Sequence, residues 1–366
     1  MLIGDNGTPS TLMPNYEVNR EIARQRLSNQ FIDRAGHSQP ADLVAWLGAM
    51  QAQDFPAAKW ALGLRMHRNT EAEIDRAFDA GLILRTHVMR PTWHFVTPAD
   101  IRWMIELSAR RVQQALAHAN RSYEIDPAMC VRATGIFEKA LSRGHHLTRA
   151  KLGEELARAG IVAKGVRLAL LTIYAELEQI ICSGPRQGKA MTYASMGTRA
   201  PHAVRLSREE ALAELTRRYL RSHGPATARD FAWWSGLTSI DVKRGLEMIG
   251  AHKEVVDGLT YWTVDEKPAG TTQRRGVHLL PIYDEYLVAY RDQLAVPRAT
   301  ANRGILPQAL IVDGGVAGTW KAVAKTGDVA IEVAVERKLG DAERRALARA
   351  VTRYGRFRER QISLVD

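Results

Sequence analysis

Apolar and polar positions along the chain repeat one order of elements three times. Helices with apolar residues at three- and four-residue spacing are followed by two short β-prone runs joined by a turn. Helices followed by a two-stranded wing form the winged-helix version of the helix-turn-helix. Since the copies share no residue-for-residue identity, the repeat is architectural. The pattern predicts an α+β, mainly helical fold with three tandem winged-helix units.

Capping and turn residues divide the repeat into units. We assign residues 1–15 to a flexible tail, 16–122 to the first unit, 123–204 to the second and 205–266 to the third. Thr70 and Glu73 form a predicted capping box, with Gly81 as the stop. Predicted helices of the first two units are Glu17–Phe31, Pro40–Met50, Pro56–Met66, Glu71–Ala80, a helix from Pro98 to about Asn120, Ala128–Ser142, Arg149–Ala159 and Val166–Ile181. In the third unit, helices start after Ser207, Thr227 and Thr238, and Asp257-Gly258 predicts a hairpin.

The pattern changes after residue 267. Residues 277–290 are predicted to be extended, Asp313-Gly314 is a second hairpin signal, and residues 328–336 alternate as a strand does. A helix over Asp341–Arg358 closes the chain. Residues 267–366 are therefore predicted to form a β-barrel-like module with one closing helix.

The net charge of the chain indicates which class of partner it binds. The chain carries 51 Lys and Arg against 40 Asp and Glu, a net charge of +11, which favours phosphate-bearing partners over neutral ones. No apolar run reaches the length of a membrane span, and the N-terminus lacks the features of a signal peptide. Two cysteines allow no disulfide framework. We therefore expect a cytoplasmic protein without a membrane association.

Few residues in the sequence are candidates for catalysis or for binding a metal or cofactor. The sequence contains no Gly-rich phosphate loop, metal-ligand cluster or nucleophile elbow, so we expect neither a metal nor a cofactor. Asp284-Glu285 suggests acid–base work, but we interpret the pair mainly as an anchor between the third unit and the C-terminal module. Basic residues taken singly are typical of solvated faces, whereas together they favour a DNA-tracking surface. The arginines assigned to that surface are Arg110, Arg111, Arg274, Arg275, Arg356 and Arg358.

Gln51-Ala52-Gln53 lies where one predicted helix ends and before the next begins. Two residues at this spacing face opposite sides of a helix but the same side of an extended segment. If the backbone is extended here, both carboxamides share one face. On the residues alone, glutamines at a helix end are the ordinary interpretation.

Five segments together resemble the winged-helix family that contains the AlkZ-type DNA glycosylases. They are MQAQDFPAAKWALGLR, RTHVMRPTWHFV, HGPATARDFAWWSGL, LLPIYDEYLVAYRD and LIVDGGVAGTW, in this order across nearly the whole chain. The resemblance implies three winged-helix motifs with a C-terminal β-barrel. It also implies excision of bulky alkylated purines, including interstrand crosslinks at N7, by a Gln-x-Gln motif. Gln51 and Gln53 match that motif, whereas a related branch has Gln-x-Asp.

Neutral amides suit this reaction, because an N7-alkylated purine already carries positive charge and leaves without a general acid. Carboxamide oxygens can hold the attacking water and lie against the oxocarbenium-like sugar. As neighbours of the site we expect Asp54, Arg90, Thr92 and His94. The resemblance also implies action on double-stranded DNA without a snug base pocket. A monomer is the default expectation, because the tandem units already supply an extended surface.

Two alternatives remain open from the sequence. A non-catalytic winged-helix DNA-binding protein, such as a transcriptional regulator, would share the basic surface but would not need the Gln-x-Gln pair. A scaffold for a protein partner would make the positive charge incidental.

Overall fold

The computed structural model describes residues 19–34, 36–265, 276–291, 308–325 and 328–365. The chain forms a mixed α+β fold in which helical segments precede a C-terminal sheet. The predicted tail, Arg274 and Arg275 lie outside the described residues. None of the helices in the described ranges is both long and apolar enough to cross a bilayer.

The first segment packs four short helices and a long one around a small sheet. Its elements are α1 (Arg20–Asn29), α2 (Pro40–Leu47), β1 (Met50–Gln51), α3 (Phe55–Arg65), α4 (Glu71–Asp79), β2 (Leu84–His87), β3 (Trp93–Val96) and α5 (Ile101–Ser122). The capping box of Thr70 and Glu73 starts α4 as predicted, and Gly81 follows it with a φ of +80°. The local capping residues therefore predicted the start of this helix correctly.

The next two segments repeat helices followed by paired strands. The second contains α6 (Pro127–Ala140), β4 (His146–Thr148), α7 (Arg149–Arg158), α8 (Gly165–Leu177), β5 (Ile181–Ser183), β6 (Thr192–Ser195) and α9 (Met196–Arg199). The third contains α10 (Arg208–His223), α11 (Ala228–Ser235), α12 (Ser239–Met248), β7 (His252–Val256) and β8 (Leu259–Thr263). Side chains of Ser207, Thr227 and Thr238 cap the three helices of the third segment as predicted.

The C-terminal elements form a curled, half-barrel sheet with a helix against it. They are β9 (Val277–Leu280), α13 (Glu285–Val288), β10 (Ala309–Val312), β11 (Gly315–Lys325), β12 (Asp328–Val335), α14 (Asp341–Arg358) and β13 (Ile362–Val365). The strand order is β13-β12-β11-β10-β9, antiparallel except for the parallel pair of β12 and β13. The sheet curls into half a barrel.

Several predicted boundaries were wrong, and each has a local cause. The helix predicted from Pro40 ends at Leu47, because Gly48 has a φ of +82° and the chain enters β1. α5 starts at Ile101 instead of Pro98, since the Thr97 hydroxyl donates to Asp100 at 2.6 Å and holds a turn there.

Two further predictions extended an element too far. α8 ends at Leu177, and Ile181 belongs to β5 because Gln179 adopts a φ of +60° between them. Residues 277–290 are extended only over β9. The Asp284 side chain accepts a hydrogen bond from the Tyr286 N–H at 2.9 Å and starts the short helix α13.

The first segment and the C-terminal sheet share one hydrophobic core. Helices α2, α3 and α4 pack with strands β9 to β12 and with α14 in a continuous buried cluster. Trp60 of α3 belongs to this cluster. Its indole N–H donates to the Leu279 carbonyl at 2.7 Å, and its ring centre lies 4.9 Å from that of Tyr354. This packing fixes α2 and α3, and hence the β1 strand between them, against the C-terminal sheet.

Candidate active site

Gln51 is the last residue of β1, the edge strand of a three-stranded antiparallel sheet ordered β1-β3-β2. In the register of this sheet Gln51 lies opposite His94, and His94 lies opposite Thr86. Directly opposed residues of antiparallel strands project from the same face. The three side chains therefore form one row across the sheet. The backbone at Gln51 is extended, which was one of the two alternatives left open by the sequence.

Gln51 and Gln53 are linked to each other and to the β2–β3 hairpin. Oε1 of Gln51 accepts a hydrogen bond from the backbone N–H of Gln53, and Oε1 of Gln53 accepts one from the N–H of Trp93, both at 3.2 Å. Gln51 keeps 9% of its surface exposed, whereas Gln53 is exposed. Each amide oxygen retains a second lone pair, so each can still accept a hydrogen bond from water.

His94 is a neutral, fully buried histidine beside Gln51. Burial, together with the positive charge of Arg90, lowers the pKa of His94 to about 3. Nδ1 lies 2.9 Å from the Thr92 carbonyl and donates to it, which leaves Nε2 as an acceptor. Nε2 has no hydrogen-bond partner among the described residues. The middle residue of this row therefore carries an unused acceptor next to Gln51.

The other expected neighbours lie around the same hairpin. Asp54 is exposed and caps α3 by accepting the Ala57 N–H at 2.9 Å. Arg90 and Thr92 belong to the hairpin turn, where the Thr92 N–H donates to the Arg90 carbonyl at 2.7 Å. The Arg90 guanidinium lies 5.8 Å from the ring centre of Trp233, and burial lowers its pKa. The structure thus brings Arg90, Thr92 and His94 together and directs Asp54 toward its own helix.

Glu285 holds the free edge of β1. Its Oε1 accepts the backbone N–H of Gln51 at 2.6 Å. Oε2 accepts the indole N–H of Trp234 at 2.9 Å and lies 3.3 Å from Nε2 of His223. The carboxylate is fully buried and connects α10 and α11 to the segment that carries the two glutamines.

Asp284 and Glu285 therefore have different partners. Asp284 forms a buried bidentate ion pair with Arg65 of α3, at 2.7 and 2.8 Å. Glu285 reaches the candidate site, a contact that the sequence interpretation of this pair did not include. The adjacent acids were the only signal for it in the sequence, because Gln51 lies 234 positions away.

The pKa of Glu285 predicts a pH-dependent contribution to stability. Burial alone would raise it, but hydrogen bonds from His223 and the Gln51 N–H lower it from 4.5 to about 2. Because the folded-state pKa is the lower one, the stabilisation is complete above pH 4.5 and is lost as the pH falls toward 2. Glu285→Gln is therefore expected to be less stable than wild type at neutral pH, by a margin that narrows in acid.

Urea unfolding at about pH 7 and about pH 3 measures this margin. The exposed Glu138→Gln should follow the wild-type pH profile and serves as the control. A stability difference for Glu285→Gln that stays constant over this range would contradict the expectation.

Arg85 lies on the opposite side of the same segment. Its Nε donates to the Ala52 carbonyl at 2.9 Å and its Nη2 to the Gln53 carbonyl at 3.1 Å. The guanidinium stacks on Trp93, 4.3 Å from the ring centre. Burial lowers the pKa of Arg85 to about 10, so it stays charged at neutral pH. Arg85 was not among the predicted site residues, because no local sequence pattern marks an arginine that binds a distant backbone.

The arginines assigned to DNA binding do not all present free charge. Arg110 and Arg356 are exposed. Arg111 is exposed too, and its Nε donates to the Gly236 carbonyl at 3.0 Å. Arg358 pairs with Glu71 at 3.2 Å. Within the described ranges, no group of three His, Cys, Asp or Glu side chains is placed to hold a metal ion.

Comparisons with known proteins agree on one family. A family model described as DNA glycosylase AlkZ-like matches residues 44–357. The chain is 23% identical over 329 residues to the interstrand DNA cross-link repair glycosylase of Streptomyces sahachiroi, covering 83% of this chain and 88% of that protein. The fold is similar to the solved structure of Streptomyces sahachiroi DNA glycosylase AlkZ, with a TM-score of 0.78 and 20% identity over 95% of this chain and all of that one.

Proposed function

This chain belongs to the AlkZ-like DNA glycosylase family, and we propose that it hydrolyses the N-glycosidic bond of bulky N7- or N3-alkylated purines in duplex DNA. The observation that carries the proposal is the linked pair Gln51 and Gln53, which matches the Gln-x-Gln motif expected for glycosylases of this family. The Streptomyces sahachiroi relative is an interstrand DNA cross-link repair glycosylase, which supports interstrand crosslinks as substrates here. The reaction is monofunctional and leaves an abasic site.

The two amides act on the sugar and on water in this mechanism. The alkylated purine is cationic before the bond breaks and leaves as a neutral base with the bonding electron pair, so the positive charge passes to the sugar, which develops oxocarbenium character. The amide oxygens of Gln51 and Gln53 lie against that charge and accept a hydrogen bond from the attacking water. Neutral His94 lies opposite Gln51 in the sheet and adds no positive charge that would oppose the one developing on the sugar.

Duplex DNA is contacted by three tandem winged-helix units in this proposal. They comprise residues 16–122, 123–204 and 205–266, with residues 267–366 as the C-terminal module. The paired strands that follow each group of helices support this division. The protein acts as a monomer, since consecutive units already supply an extended surface.

A lesion-cleavage assay tests the function. Purified protein is incubated with a duplex that carries one N7-alkylguanine or one nitrogen-mustard crosslink, and abasic sites are then cleaved with alkali. Strand breaks at the lesion are the expected result. If the protein binds the duplex without breaking it, it is a DNA-binding protein without this activity. If it neither binds nor breaks the duplex, the scaffold alternative is favoured.

Arg110 is expected to contact a phosphate. Binding of duplex DNA should weaken with salt, and Arg110→Gln should reduce the slope of log affinity against log salt by about 1, because one fewer counterion is released. Fluorescence anisotropy at several salt concentrations measures the slope. Arg158→Gln removes an exposed arginine that pairs with Glu155 and is the matched control. An unchanged slope for Arg110→Gln would remove it from the DNA surface.

A further inference from the structure

Two buried charges of opposite sign hold the backbone of residues 51–53 from opposite sides. The Glu285 carboxylate accepts the N–H at the start of this segment, and the Arg85 guanidinium donates to the carbonyls of Ala52 and Gln53. Hydrogen bonds to charged groups are stronger than those between neutral groups. Polar backbone atoms on both flanks of the Gln-x-Gln segment are therefore fixed by charged side chains.

Each of the two charges is itself anchored. Glu285 is held by the Trp234 indole at 2.9 Å and by His223, whose Nδ1 lies 2.7 Å from the Ser222 hydroxyl. Arg85 is stacked on Trp93, and its own backbone N–H donates to the Ser183 hydroxyl at 2.8 Å. Neither charged group can shift without breaking further buried contacts.

We propose that Glu285 and Arg85 are positioning residues that aim the amides of Gln51 and Gln53 by fixing the backbone between them. The proposal rests on the proposed function and adds two residues to its machinery. Neither side chain has to touch the DNA. A displacement of about 1 Å in a reacting group can slow an enzyme about a hundredfold, so fixing this backbone has a direct effect on rate.

Variants that keep the size of the side chain separate the loss of positioning from the loss of packing. In Glu285→Gln one oxygen can still accept the Gln51 N–H, but the new amide NH₂ faces the Trp234 indole donor. In Arg85→Lys a single ammonium cannot reproduce the planar fork that reaches two carbonyls. We expect each variant to slow single-turnover excision about 10- to 100-fold. Binding of lesion DNA should stay within about twofold, because both side chains act on the chemical step and not on the phosphate contacts.

Arg199→Lys is the matched control. Arg199 donates to two backbone carbonyls in the same way as Arg85, to Asp79 at 2.9 Å and to Phe78 at 2.8 Å, in a different part of the fold. It should lose stability but keep the excision rate per folded molecule. Equal slowing in Arg199→Lys and Arg85→Lys would mean that general destabilisation explains the effect, and would overturn the proposal.

A mutant cycle tests whether Glu285 acts through the two glutamines. If it does, adding Glu285→Gln to the Gln51→Ala/Gln53→Ala variant should slow excision by less than about threefold, since both amides to be positioned are already gone. Full multiplication of the two effects would overturn the proposal. Should Glu285→Gln not fold, Trp234→Phe keeps the aromatic packing and removes one hydrogen bond to the carboxylate, and is expected to slow excision severalfold.

Amide hydrogen exchange gives a readout that does not depend on activity. Protection of the Gln51 N–H should fall in Glu285→Gln and stay at the wild-type level in Arg199→Lys. Absence of excision by the wild-type protein would refute the proposed function, while the exchange measurement would still report on the contact. Wild-type rates and protection in both Glu285→Gln and Arg85→Lys would refute the positioning role alone.

Discussion

Replacing Gln51 or Gln53 with alanine is expected to slow excision by about 30- to 1,000-fold. Each amide is proposed to supply one preorganised polar contact to the transition state, and loss of such a contact removes about 2–4 kcal/mol of stabilisation. Because Oε1 of Gln51 also holds the N–H of Gln53, the two effects should not multiply fully in the double variant.

Single-turnover excision of an N7-alkylguanine duplex measures these rates. Gln25→Ala provides the control, since Gln25 bonds to Glu21 within α1 and has no place in the site. Circular dichroism should show the same fold in all variants. Equal rates for wild type and the double alanine variant would end the assignment of the Gln-x-Gln pair.

Asp284→Ala is expected to reduce the free energy of unfolding by about 3–5 kcal/mol, because it leaves the buried guanidinium of Arg65 without its counter-charge. Both side chains are fully buried, and the pair joins α3 to the start of α13. The loss should be large enough to lower the yield of folded protein at 37 °C.

Urea unfolding gives the free energy of each variant. Glu155→Ala is the comparison, since it removes a carboxylate that pairs with Arg158 at the surface and should change stability by about 0–1 kcal/mol. A similarly small change for Asp284→Ala would show that the buried pair does not stabilise this fold.

The sequence alone determined the features that depend on neighbours three or four positions away. Capping residues set the starts of α4 and α10, and the Asp257-Gly258 turn joins β7 to β8 as predicted. The closing helix has the predicted bounds, Asp341–Arg358. These signals are strong because a cap or a tight turn satisfies its own hydrogen bonds within a few residues.

The sequence also singled out Gln51 and Gln53 as the candidate pair, through the family resemblance, and allowed an extended backbone at Gln51 as the alternative to a helix end. It could not predict what holds that backbone. The pairing of β1 with β3, the Glu285 contact and the Arg85 fork join residues 32 to 234 positions apart. No local pattern encodes which distant donor or acceptor will meet a given backbone atom.

Tertiary structure alone therefore decided the environment of the two amides. Packing of α3 against the C-terminal sheet and α14 positions the first segment. Packing of α10 and α11 brings His223 and Trp234 into contact with Glu285. A buried charge is tolerated only where the whole fold supplies its hydrogen bonds. The sequence thus determines which chemical groups are present, while long-range packing determines where they point.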